Sequence, residues 1–157
     1  MAPADVCHAH VRNCMSGDKV FVDTNVLVYA YDIDAGQKHQ IALDIMKDLW
    51  RSGLGILSTQ TLQEFFVTVT AKINTPLDST VAVDIIKKLS KWDVVINTTS
   101  TIFEAIEVHE RYNYSFWDSL IIASAVEGGA KTILSEDLSN RQVVKGVAIK
   151  NPFQDLP

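Results

Sequence analysis

Hydrophobic residues along the chain follow two alternating rhythms. Four short apolar, β-branched stretches read as buried strands: Lys19 to Asp23, Leu54 to Ser58, Asp93 to Asn97 and Lys131 to Leu134. Between them, apolar positions recur at three- and four-residue spacing, the signature of helices with one buried face. Asn25 to Tyr31 is the first helical segment. After a turn around Asp32 to Gly36, the series Ile41, Leu43, Ile45, Met46 and Leu49 predicts a second helix to Trp50, with Gly53 as its stop. Gln60 to Asn74 follows, ended by Thr75-Pro76 because proline blocks continuation. Ser79 to Trp92, Ser100 to Tyr112 and the very apolar Ser115 to Glu127, closed by Gly128-Gly129, are further helices, and Val147 to Ile149 predicts an additional strand at the sheet edge.

Short strands alternating with longer helices imply a parallel sheet, because parallel neighbours need crossover connections. The expected fold is α/β, a three-layer α/β/α sandwich with a mainly parallel central sheet, whose ligands belong at the carboxyl ends of the strands. No repeat, low-complexity tract or linker divides it. Residues 19–153 read as one domain and residues 1–18 as a disordered N-terminal extension.

Composition narrows this picture. With 157 residues and 47% hydrophobic content, the chain can bury one core and has too little length for two ordinary domains. No apolar run reaches the roughly 18 residues expected of a membrane span, so a soluble protein is expected, and since only two cysteines offer no disulfide framework, a reducing cytoplasm is the expected setting. The two cysteines, Cys7 and Cys14, precede the first strand, and with His8 and His10 they match no familiar zinc spacing. A formal net charge of -5 argues against broad charge-driven adhesion to nucleic acid. It leaves room for an acidic pocket ringed by basic residues, for which Lys72, Lys87, Lys88, Lys91, Arg111, Lys131, Arg141 and Lys145 are candidates, each equally readable as a solvated surface charge.

Four acids carry the candidate chemistry, and each has a purely structural alternative. Asp23 ends the first strand and could simply cap the next helix. Glu64 in Thr61-Leu-Gln-Glu64 and Asp118 in Ser115-Phe-Trp-Asp118 both have capping-box spacing. Asp137, after the strand Thr132 to Leu134, could form an Asx turn, and Glu136 should point outward if Asp137 faces the site. Taken together, two acids end strands and two begin helices, positions that converge on one edge of a parallel sheet. Four carboxylates there repel one another unless a hard divalent cation with oxygen ligands joins them. No histidine is required, and His39 and His109, within helical segments, read as surface or packing residues.

The segments Phe21-Val-Asp-Thr-Asn-Val-Leu-Val28, Gln63-Glu-Phe65, Phe116-Trp-Asp-Ser-Leu-Ile-Ile-Ala-Ser124 and Leu134-Ser-Glu-Asp-Leu138 resemble those of the PIN-domain nucleases, over about Lys19 to Pro152. Within that family the chain looks most like the VapC-type toxins of bacterial toxin–antitoxin pairs, down to the ending Gly146 to Phe153. The resemblance implies a metal-binding cluster of Asp23, Glu64, Asp118 and Asp137, supported by Asn25 and Ser135. It also implies RNA cleavage with magnesium or manganese, a homodimer, and a small antitoxin protein covering the active-site groove. Three rival readings stand beside it: a non-catalytic PIN-fold module that binds RNA or protein, an RNA-processing or DNA nuclease outside any toxin pair, and a haloacid-dehalogenase-type phosphatase. The last needs a second aspartate where Asn25 stands. A dinucleotide-binding domain is weaker still, since no Gly-x-Gly-x-x-Gly follows the first strand.

Overall fold

The apolar triplet Val20–Val22 forms strand β1, and all three residues are buried. Because successive strand residues face opposite ways, Val20 and Val22 enter one core while Phe21 enters another. A strand covered on both faces is what a parallel sheet between two helix layers requires. The computed structural model describes residues 17–157; Cys7, His8, His10, Cys14 and residues 1–16 of the expected extension lie outside the described residues.

From β1 the chain continues through α1 (Thr24–Tyr29), α2 (Gln37–Ser52), β2 (Gly55–Ser58), α3 (Thr59–Ala71), α4 (Ser79–Leu89), β3 (Asp93–Val95), α5 (Thr99–Tyr112), α6 (Phe116–Glu127), β4 (Thr132–Leu134), β5 (Val143–Val144) and β6 (Val147–Lys150). The strands lie in the order β3-β2-β1-β4-β6-β5. Every neighbouring pair is parallel except β5 and β6. One correction concerns the end of the chain. Val147 to Ile149 was expected at the sheet edge, but β6 is interior, between β4 and β5. Lys145 and Gly146 both take positive φ, 49° and 82°, which gives the tight reversal that folds Val143-Val144 back as the true edge.

Helices cover both faces. On one side Val26, Leu27, Ile45, Leu49, Phe65, Val69 and Leu89, from α1 to α4, pack on Val20, Val22, Leu57 and Leu134. On the other, Val108 of α5 and Ile121, Ile122 and Ala125 of α6 pack on Phe21, Ile56, Ile133 and Ile149. α6 lies between the sheet and α5, and Ser119 to Ala125 are all buried. That is why its sequence has no polar stripe. Among the described residues no helix is long and apolar enough to cross a membrane.

β1 has β2 on one side and β4 on the other, so the chain leaves the central strand in opposite directions and a crevice opens at the carboxyl ends of β1 and β4. Close packing fixes β2 beside it: a Cβ added to Gly55 would lie 2.3 Å from the ring of Trp92. Trp92 cannot retreat easily, because it packs on Trp50 with ring centroids 5.7 Å apart. Gly55→Ala is therefore expected to destabilise the protein by about 1–3 kcal/mol through overpacking, seen as a melting temperature lowered by several degrees. An unchanged melting temperature would show that Trp92 moves aside freely.

Candidate active site

Asp23 stands at that crevice. Its backbone N–H donates to the carbonyl of Leu134 (3.0 Å), joining the end of β1 to the end of β4. Its carboxylate caps α1, accepting from the Thr24 backbone N–H at 2.7 Å, and accepts from the Ser135 hydroxyl at 2.7 Å. Capping α1 therefore does not withdraw this side chain from the crevice. Asp23 is only 8% exposed. Burial pushes its pKa from 3.8 to about 6; the Ser135 and Thr24 hydrogen bonds oppose the rise, and the charges of Glu64 and Asp137 add to it.

Glu64, on α3, is held from two sides. One oxygen accepts from the Thr24 hydroxyl (2.6 Å), the other from the Gln60 amide (2.9 Å) one helical turn away. The expected Thr61–Glu64 capping box does not form. Because β2 ends at Ser58, α3 starts earlier than expected, Ser58 is its cap, and the reciprocal partner is Thr61. Glu64 is thus free of capping and available to the crevice.

Asp137 reaches the same place from the loop after β4. Its Oδ2 accepts from the Asn25 amide at 2.9 Å, and that nitrogen also lies 3.4 Å from Asp23 Oδ2. The loop is organised by Ser135 rather than by an Asx turn at Asp137: the Ser135 hydroxyl accepts from the backbone N–H groups of Asp137 and Leu138 (3.2 Å each) while donating to Asp23. Glu136 turns away, as expected, and accepts from the Tyr29 hydroxyl (2.6 Å) and the Lys38 ammonium. Lys38 lies in turn over the rings of Tyr29 and Phe153.

Asp118 is placed differently. Its backbone N–H donates to the Ser115 hydroxyl at 3.1 Å, forming the first half of the expected capping box. The Gln60 amide nitrogen that holds Glu64 also lies 3.4 Å from the carbonyl oxygen of Trp117, which brings the first turn of α6 against Glu64. Asp23, Glu64 and Asp137 thus share one hydrogen-bonded network through Thr24, Asn25 and Ser135, and Asp118 borders it without joining it. Among the described residues, no three Asp, Glu, His or Cys side chains stand close enough to hold a metal ion as they are.

Sequence reasoning overlooked Gln60, Tyr29 and Lys38. The i, i+4 spacing of Gln60 and Glu64 could have suggested the first; nothing in the sequence joins Lys38 to Glu136, 98 residues away. In the proposed basic ring, Lys145 is withdrawn by ion pairs to Glu104 and Glu107, and Lys87 pairs with Asp84 on its own helix. His39 and His109 each bond a backbone carbonyl, of Tyr29 and Tyr114, in keeping with packing roles.

The family model for the PIN domain matches residues 20–145. Among solved structures, the chain is similar to VapC20 of Mycobacterium tuberculosis, described as a sarcin–ricin loop cleaving toxin. The two share 22% identity and a TM-score of 0.59 over 76% of this chain and 90% of that one. It is also similar to VapBC2 of Rickettsia felis, described as bound to a DNA fragment from its promoter, with 17% identity and a TM-score of 0.59 over 84% of this chain and 97% of that one. None of the curated proteins matches the sequence.

The raised proton affinity of Asp23 has a measurable consequence. Between pH 4 and about 6 the native state holds a proton there that the unfolded chain has released, so metal-free stability falls as pH rises through this window and stays reduced above it. Asp23→Asn removes that cost and keeps one oxygen to accept from the Thr24 N–H, while its NH2 replaces the oxygen that accepts from Ser135, a loss that offsets part of the gain. It is expected to stabilise the metal-free protein at pH 7 by on the order of 1–3 kcal/mol, with the advantage vanishing below about pH 4. A variant melting no higher than wild type at pH 7 would contradict the assigned burial cost.

Proposed function

The chain belongs to the PIN domain family, and on that premise we propose that it is a magnesium- or manganese-dependent endoribonuclease, the toxin of a type II toxin–antitoxin pair. One observation carries the reading: acids from three distant segments are drawn into one network at the sheet's crevice, a fourth borders it, and no Lys or Arg among the described residues pairs with any of them. Such a concentration of acids without a cationic partner, one of them with its proton affinity raised by burial, is a charge pattern that a bound cation would relieve.

The donor set fits a hard divalent ion, since it offers carboxylate oxygens and no sulfur or imidazole. Asp23 and Asp118 would hold the ion directly, and Glu64 and Asp137 would hold its waters or a second ion. When bound, the ion supplies a more acidic water and offsets charge on the phosphoryl oxygens. The chain's own contribution is position. Thr24 and Gln60 fix the Glu64 carboxylate, Asn25 fixes that of Asp137, and Ser135 orients Asp23 by donating its proton there. Cleavage would leave a 5′-phosphate and a 3′-hydroxyl. The cutting of an RNA loop named for VapC20 supports RNA as the substrate. A cognate antitoxin over the crevice, a homodimer and a cytoplasmic setting complete the reading.

One observation favours a second reading, a non-catalytic PIN-fold module that binds RNA or protein: the acids as they stand do not close around an ion. Cleavage assays separate the two. Purified protein is expected to cut single-stranded RNA in Mg2+ or Mn2+, to stop on chelation and to recover when metal is restored. Asp23→Asn and Asp118→Asn, each shown to be folded by circular dichroism, should lose activity by roughly 100-fold or more. Full activity in either variant would remove that residue from the site, and no cleavage of any RNA by wild type would favour the binding module. A parallel DNA substrate reports the sugar preference.

A further inference from the structure

Trp117 is anomalous in its helix. The residues that follow, from Ser119 to Ala125, are buried, yet Trp117 is 64% exposed. Its ring is braced: Phe116 meets it edge-on with centroids 5.3 Å apart, and Phe116 is itself packed against Ala105, Leu120 and Ala123. Its backbone is fixed too, because the Gln60 amide lies 2.9 Å from Glu64 Oε1 and 3.4 Å from the Trp117 carbonyl oxygen, which puts those two oxygens within about 6 Å of each other. A large, rigid, solvent-facing indole therefore stands at the rim of the acidic crevice, one residue before Asp118.

Electrostatics say what such a group is for. A strand of phosphates approaching a chain of net charge -5 finds Lys19, Lys38, Lys47, Arg51, Lys87 and Lys145 already paired with carboxylates. Lys72, Lys88, Lys91, Arg111, Lys131 and Arg141 have no carboxylate partner among the described residues and remain for phosphates, but acids outnumber bases in the chain, and an uncharged contribution adds to the affinity. Stacking on an aromatic face supplies one, and it is open to an unpaired base, since a base inside a helix already has both faces covered.

We propose that Trp117 is a stacking platform for an unpaired nucleobase of the RNA strand whose phosphodiester lies over the acidic crevice, so that it confers preference for single-stranded RNA. This rests on the ribonuclease reading above. Trp117 binds substrate and takes no part in the chemistry.

The test measures binding by fluorescence anisotropy, using the full chain in Ca2+ to slow cleavage. The ligands are labelled oligouridylate and oligoadenylate of about 12 nucleotides, single-stranded and annealed to their complements. Trp117→Ala is expected to weaken single-strand binding about tenfold or more, Trp117→Phe to retain most of it, and duplex binding to be weaker and insensitive to either change. The slope of affinity against salt should be the same in all three proteins, because no ionic contact is lost. Unchanged melting temperatures confirm that the exposed side chain is not structural. Wild type binding single strands with Trp117→Ala binding them equally well would overturn this proposal alone. Wild type that neither binds nor cuts RNA would overturn it together with the ribonuclease reading.

Discussion

A carboxylate buried at the end of the central strand is the constraint around which the crevice is organised. Asp23 must be accommodated where β1, β4 and α1 meet, and burial there raises its proton affinity. Its two oxygens accept from the start of α1 and from Ser135 beyond β4, while its own N–H closes the ladder to Leu134. The hydrogen bonds that make the buried acid tolerable are also those that hold the two halves of the sheet in register at the switch point. Structure and site are therefore not separable at this residue.

From Asp23 the arrangement spreads through neutral donors. Thr24 and Asn25, the next two residues, each reach a different acid, Glu64 and Asp137, so that a single turn of backbone aims three carboxylates. A cationic partner in these positions would have neutralised the pocket; hydroxyls and amides orient the acids and leave their charge in place. The contrast with Glu136 makes the point. That carboxylate, adjacent to Asp137, is paired with Lys38 and Tyr29 and its pKa is lowered, although its own partial burial works in the opposite direction. Neighbouring acids thus divide into one tied to the scaffold and one aimed into the crevice.

The strands and their alternation with helices were legible because both depend on local periodicity that tertiary packing reinforced. The edge hairpin was not: Val143-Val144 is too short to register as a strand, and its existence depends on Lys145 accepting a positive φ. Helix starts were legible to within a residue or two but the caps were not, and moving the cap three residues, from Thr61 to Ser58, changes Glu64 from a capping residue into one available to the crevice. The expectation that the acids sit at strand ends and helix starts holds for Asp23 and Asp118, whereas Glu64 lies in the second turn of its helix and Asp137 in the loop after β4. Lys38 was not legible, because its partner lies across the fold in the loop after β4, and Gln60 could have been found only through its i, i+4 spacing to Glu64, its contact with α6 being equally remote in sequence. Lys145 was visible but misleading, since a basic residue's partners depend on which helix face it meets.

The separation of Asp118 from the other three acids can be traced to its helix. α6 is enclosed by the sheet on one side and α5 on the other, with Ser119 to Ala125 all buried, so it cannot slide toward the crevice without disturbing both cores. Its first turn is further pinned by Ser115 and by Gln60, whose amide spans to Glu64. The Asp118 carboxylate, by contrast, has no hydrogen bond or ion pair to another side chain among the described residues and is only partly buried. Any convergence of the four acids on one ion must then come from side-chain rotation at Asp118 and small adjustments of the exposed Asp137, against a backbone that stays fixed. Bringing the four acids together would therefore need little reorganisation of the fold.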